Sequence, residues 1–159
     1  MTLIPPIKTT IYVFLFALLS LIVTSCKFNS EEKNIAIHNQ TELSYEMQTE
    51  LGESIQLGSE IYEDFCLTCH RPNGKGIPKS FPPLAGSDYL MNKREQSIRA
   101  VKFGQQGEIV VNGIPYNSVM AAQGLDNDEI ANVMNYIMNS WENKQDKMVR
   151  EEEVASITK

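Results

Sequence analysis

The first long pattern in the chain is an apolar block. Residues 11–23 (IYVFLFALLSLIV) contain one polar position, Ser20. As a helix rising ~1.5 Å per residue this run would reach ~20 Å, short of the ~30 Å hydrocarbon layer of a bilayer. Behind the single cation Lys8, that is the length of a signal-peptide core rather than a membrane span. Between residues 27 and 44 the pattern vanishes. The segment is polar, carries Glu31, Glu32 and Lys33, and shows neither helical nor alternating apolar spacing, so it reads as a flexible tether. Periodicity returns near Tyr45. Leu51, Ile55, Gly58, Tyr62 and Phe65 recur at spacings of 4, 3, 4 and 3, which predicts a helix running into residues 66–70. Glu53, Gln56, Ser59, Glu60 and Glu63 take its other face. Gly58 costs roughly 1 kcal/mol relative to alanine inside a helix and marks a close approach by another element.

Residues 71–86 (RPNGKGIPKSFPPLAG) hold four prolines and three glycines and form no regular element. Short helical pieces are expected from about Asp88 and over residues 95–103. The second carries Ile98, Val101 and Lys102 and is stopped by Gly104. Residues 105–125 read as loop with a brief extended pair around Ile109, Val110 and Val111. The last helix has the clearest signals. Asp126 and Glu129 make a capping-box pattern, and Ile130, Val133, Met134, Ile137 and Trp141 form its apolar stripe. The tail after Trp141 is mostly charged. The expected layout is residues 1–25 as a signal peptide, 26–45 as the tether, 46–142 as one all-α domain of four to five short helices with long Pro/Gly loops, and 143–159 as a charged tail. Such a domain has an under-filled core, and small domains of this kind need a staple.

Charge excludes one class of partner. The chain carries a formal charge of −6, whereas nucleic-acid binding calls for a basic footprint. The acids are unevenly placed: residues 66–125 hold seven Lys/Arg against three acids, while both flanks are acidic. Within that basic island, Lys75, Lys79, Lys93, Arg94, Arg99 and Lys102 are candidates for salt-sensitive steering of an acidic partner.

Cysteine and histidine usage narrows the chemistry. There are three cysteines and two histidines. Val23-Thr24-Ser25-Cys26, directly after the apolar block, resembles a bacterial lipobox, whose cysteine is lipidated and becomes the new N-terminus. Cys66 and Cys69 sit with His70 in Cys66-Leu67-Thr68-Cys69-His70. A thioredoxin-like dithiol needs a βαβ setting, but this motif ends a helix and opens a proline-rich loop. A structural zinc site needs four ligands, and only His38 in the tether could complete the set. Covalent haem attachment suits the residues better. Two thiols on one helical turn can each add to a vinyl group of one porphyrin, and the next residue offers an imidazole to the iron. A thioether is a common sixth ligand in electron-transfer haem proteins. Met134 lies on the apolar stripe as core filler, Met138 and Met148 lie towards the polar end of the last helix and in the tail, and Met47 and Met91 belong to the helical pieces. Met120, in the loop before the capped helix, is the candidate.

The residues in this order resemble a class I c-type cytochrome over about residues 47–142. The resemblance rests on the helix with Gly58 and Tyr62 before CLTCH, the FPPLAG loop, VNGIPYNSVM and GLDNDEIANVMNYIMNSW. The last two are similar to cytochrome c domains that accompany bacterial respiratory enzymes, copper nitrite reductases among them. The resemblance implies a class I cytochrome c fold around one covalent haem c held by Cys66 and Cys69, with His70 and Met120 on the iron. It implies that Gly58 and Tyr62 cross the last helix near Tyr136, that the Pro82 carbonyl accepts from the haem histidine, and that Leu84 lines the pocket. One departure stands out: Met120 is followed by Ala121 and Ala122, where many relatives have proline, which points to a softer ligand loop.

The expected function is a lipid-anchored one-electron carrier of a bacterial respiratory chain, on the periplasmic side of the cell envelope. Its expected partners are a membrane-bound donor and a terminal oxidase or reductase as acceptor, with no nucleic acid. Two alternatives remain open here: a ligand-binding or sensor haem protein with a displaceable Met120, and a tightly bound cytochrome subunit of a larger enzyme.

Overall fold

The computed structural model describes residues 28–145 and 147–159, with backbone alone for residues 28–41. The signal-peptide expectation and Cys26 lie outside these residues. The chain divides into two compact units, Met1–Met47 and Gln48–Lys159. The described part of the first, residues 28–47, is helical. It belongs to helix α1 (Phe28–Phe65), whose residues 48–65 fall in the second unit. This corrects the expected irregular tether. Neither proline nor glycine occurs between residues 28 and 51, so nothing stops a helix nucleated further on from propagating back, since each added residue gains a hydrogen bond at little cost.

In the second unit α1 is followed by α2 (Leu67–His70), α3 (Asp88–Asn92), α4 (Arg94–Phe103), a hairpin of β1 (Ile109–Val111) and β2 (Ile114–Tyr116), α5 (Asn127–Met138) and α6 (Glu151–Ser156). The architecture is all-α apart from the antiparallel hairpin, in which Val110 pairs with Pro115. The α5 capping box forms as expected, with Glu129 Oε2 accepting from the Asp126 N–H at 2.8 Å. Trp141, expected on the α5 stripe, lies beyond the helix end with φ of 51°.

α1 and α5 cross at Gly58. A Cβ there would stand 2.0 Å from the Asn132 carbonyl oxygen and 2.8 Å from Tyr136 Cβ, so only glycine lets the two backbones meet. Beside the crossing, the Tyr62, Tyr136 and Trp141 rings pack with centroids 5.2–5.7 Å apart. Ser54 and Gly58 are buried with Tyr62, whereas Phe65 is 46% exposed. The helix ends at Phe65, and the inward path continues through Cys66 instead.

The tail is part of the core, which corrects its reading as a charged extension. Val149 and Val154 are fully buried and Ile157 nearly so, packing with α4 and α5 through α6. Buried Asn135 of α5 treats the tail as a strand: its Oδ1 accepts from the Val149 N–H at 2.7 Å and its Nδ2 donates to the Val149 carbonyl at 2.8 Å. The cations of α4 complete the clasp. Arg94 donates to the Lys147 and Met148 carbonyls and to both Glu153 oxygens. Lys102 donates to the Val154 and Ile157 carbonyls, and Arg99 to that of Thr158. Three residues of the expected docking rim are thus occupied within the chain. The apolar positions that bury the tail are isolated among charged and polar residues, which masked them in the sequence.

Candidate functional site

α1 delivers the Cys66–His70 segment through a tight turn. The Cys66 N–H bonds to the Tyr62 carbonyl at 3.0 Å, and His70 N–H to the Cys66 carbonyl at 2.9 Å. Arg71, with φ of 68°, ends that turn, and the Tyr62 hydroxyl fastens its carbonyl at 2.7 Å. The following loop then folds back under His70. Gly76 N–H bonds to the His70 carbonyl, and the Leu84 and Ala85 N–H groups share the Gly74 carbonyl. Gly76 permits this at φ of 62°, where a Cβ would stand 2.6 Å from the Pro82 oxygen. Trp141 packs on Gly74 and donates to the Pro72 carbonyl at 3.0 Å.

The result is that His70 Nδ1 lies 3.1 Å from the Pro82 carbonyl oxygen. A carbonyl only accepts, so Nδ1 carries the proton and Nε2 is left bare in the neutral ring. Burial pushes the His70 pKa below its ordinary value, against the opposing pull of the Pro82 hydrogen bond. The ring is therefore neutral at physiological pH, as a metal ligand must be. Pro82 makes this contact, and its neighbour Pro83 lines the adjoining cleft.

That cleft is partly open to solvent and, with the open space at its mouth included, holds about 900 Å³ free of protein atoms. Cys66, His70, Pro82, Leu84 and Met120 all line it, as do Val101, Val111 and Ile137. Cys69 is half-buried one turn beyond Cys66 and does not line the cleft itself. Burial, aided by the neighbouring Cys69, pushes the Cys66 thiol up to about 11. A redox CxxC motif lowers its thiol pKa instead, so the pair does not resemble a reactive dithiol. Among the described residues no three His, Cys, Asp or Glu side chains gather as a metal site.

Met120 is held by its backbone. Met120 and Gln105 exchange two N–H to carbonyl hydrogen bonds of 2.8 Å each. Gly104, with φ of 83°, lets the two segments close, because a Cβ there would be 2.7 Å from the Met120 carbonyl oxygen. The softness expected from the missing proline is thereby offset, and Gln105 carried no sequence signal for this role. Among the other methionines, Met134 and Met138 are buried in the core and Met47 is exposed.

Two thiols, one neutral imidazole with its Nδ1 proton already committed, and one thioether around an apolar cleft fit a covalently attached haem. Comparison with known proteins agrees. Residues 55–141 match the Cytochrome c family model, so the chain belongs to the cytochrome c family, as a class I monohaem member. It is 44% identical over 89 residues to a cytochrome c-552 of Thermus thermophilus, covering 53% of this chain and 67% of that one. It is 33% identical over 91 residues to the cytochrome c subunit of a quinone alcohol dehydrogenase from Gluconacetobacter polyoxogenes, covering 55% of this chain but 19% of the relative. A gluconate 2-dehydrogenase cytochrome c subunit from Pantoea cypripedii is 30% identical over 113 residues, 25% of its length. The chain thus spans about two thirds of the first relative and a quarter or less of the dehydrogenase subunits. It is an electron-transfer protein, with haem c bound covalently through Cys66 and Cys69.

Proposed function

We propose that this chain is a lipid-anchored electron carrier of a bacterial respiratory chain, working on the periplasmic side of the envelope, in which His70 and Met120 would hold the haem iron. The observation that carries the ligand assignment is the convergence on one cleft of a neutral His70, whose Nδ1 proton is bonded to Pro82, and a Met120 locked to Gln105. Haem c supplies an iron that gains or loses one electron. His70 presents Nε2 to it, and the Pro82 carbonyl raises the basicity of that nitrogen. Met120 presents a thioether, which favours the ferrous form relative to harder donors. Leu84, Val101, Val111 and Ile137 give the cleft an apolar lining. With both residues engaged, a diatomic molecule would have to displace one of them, which separates a carrier from a sensor.

Carbon monoxide tests this. The reduced, haem-matured chain is expected to keep its spectrum unchanged under the gas, whereas an immediate shift would make the displaceable-Met120 reading the better one.

Anchoring rests on the lipobox-like Val23-Thr24-Ser25-Cys26 after the apolar block. Cys26→Ser is expected to release the protein from membranes, and a variant still wholly membrane-bound removes this part of the proposal. The exposed lysines Lys75 and Lys79, in the loop that carries Pro82, are available for weak steering of an acidic partner. Attachment near the membrane would raise the effective concentration at partners held there. The dehydrogenase subunits among its relatives favour a second reading, a bound subunit of a larger enzyme, and salt-resistant co-purification with a dehydrogenase would establish it.

A further inference from the structure

We infer that Asn143 is a positioning residue for His70, acting through the Leu84–Gly86 backbone on the Pro82 carbonyl. Asn143 lies past the end of the family match at residue 141, and its side chain belongs to neither the cleft wall nor the haem motif. It is 5% exposed, and every polar atom of its amide is used. Oδ1 accepts from the Gly86 N–H, and Nδ2 donates to the carbonyls of Leu84 and Ile137, each at 2.9 Å. One amide therefore ties the end of α5 to the loop two residues after Pro82.

The local chain explains how it gets there. Trp141 and Glu142 both adopt positive φ, 51° and 73°, and turn the chain sharply after α5. The Asn143 N–H then closes on the Ser140 carbonyl at 2.9 Å. Strain at two successive non-glycine residues persists only where surroundings over-determine it, and here the Asn143 bonds are part of that determination. Asn112 grips the same residue, Gly86, from the hairpin, its Nδ2 donating to the Gly86 carbonyl at 3.1 Å. Asn112 is exposed, so its bond competes with water, while the buried Asn143 bonds do not.

The consequence falls on the histidine. The Gly74 carbonyl also holds Leu84 and Ala85, but from one side of the loop alone. Without Asn143 the Gly86 N–H loses its buried partner and the Leu84 carbonyl keeps only a long bond of 3.4 Å from the Ser87 N–H, and the segment shifts to recover bonds. The Pro82 carbonyl moves with it and loosens its hold on His70 Nδ1–H. Partners of this kind orient a ligating histidine and tune its basicity.

This inference rests on His70 being the haem ligand, and the experiment separates the two. Solvent exchange of the His70 Nδ1 proton is followed by NMR in the ferrous, haem-matured full chain. Asn143→Ala is expected to speed it about tenfold or more. Asn143→Asp keeps an acceptor for Gly86 but loses both donations, and is expected to speed it by less. Asn135→Ala removes an equally buried asparagine that holds the tail and is expected to leave the rate close to the parent's. If Asn143→Ala does not accumulate, Asn143→Asp decides by the same measurement. Parent-like exchange in the Asn143 variants would overturn the inference, as would equal acceleration by Asn135→Ala, which would reduce the effect to general destabilisation. A parent with no His70 Nδ1 proton signal shifted by haem would instead overturn the ligand assignment.

Discussion

His70 is made useful by the backbone of the loop that follows it. Its tautomer follows from the Pro82 carbonyl at 3.1 Å, and that carbonyl reaches it because Gly76 carries no side chain. A Cβ on Gly76 would meet the Phe81 and Pro82 oxygens at 2.3 and 2.6 Å, with the backbone at φ of 62°. Gly76→Ala therefore combines left-handed strain of about 1–2 kcal/mol with an overpacking cost of about 1–3 kcal/mol. Denaturant unfolding of the haem-matured protein is expected to show a loss of about 3 kcal/mol, and a loss under ~0.5 kcal/mol would contradict this role of Gly76 in the loop. The motif Cys66, Cys69 and His70 was plain in the sequence because its spacing is chemical and local. Gly76 was one glycine among three in a loop, and Gln105 and Asn143 had no signal at all. Their roles depend on backbone groups brought together by folding, which no spacing records.

At the scale of elements, two contacts decide how the parts fit. The Gly58 crossing of α1 and α5 was legible, since a glycine on a buried helical stripe weakens its helix unless a second backbone comes close enough to need the space. The clasp of α6 was not. Its apolar residues Val149, Val154 and Ile157 sit among charged and polar residues and lack a helical repeat long enough to read. The partly buried Arg94–Glu153 pair at 2.6 Å joins α4 to α6. The Arg94 hydrogen bond holds the Glu153 carboxyl below its ordinary value, against a smaller opposing effect of burial. Because the folded-state pKa is depressed, the unfolded chain takes up the proton first as pH falls. The pair's stabilisation is thus present above the unfolded value near 4.5 and is lost as pH drops through the folded one. Glu153→Gln is expected to lower stability at pH 7 and to cost progressively less below pH ~4.5. A stability difference that stays constant from pH 7 to 3 would contradict the pairing.

Across the whole molecule, charge and cavity now divide their roles. The basic island of the sequence looked like a docking rim, but Arg94, Arg99 and Lys102 hold the tail, which leaves Lys75, Lys79 and Lys93 exposed, the last over the Tyr89 ring. The folded tail completes the core on one side of α4 and α5, and the apolar cleft between loops and helices is the place proposed for haem c. The class of fold and the covalent attachment could be read from the motif order alone. The helical course of residues 28–44 could not, because polar helices carry no apolar period.

The proposed carrier depends on His70 and Met120 holding the iron together. It is tested most directly by the far-red absorption of the ferric, haem-matured chain, in the parent and in Met120→Ala. A sulfur-to-iron band in the parent that disappears in Met120→Ala is the expected result. A parent without that band, or a band that survives the substitution, would contradict Met120 as the ligand.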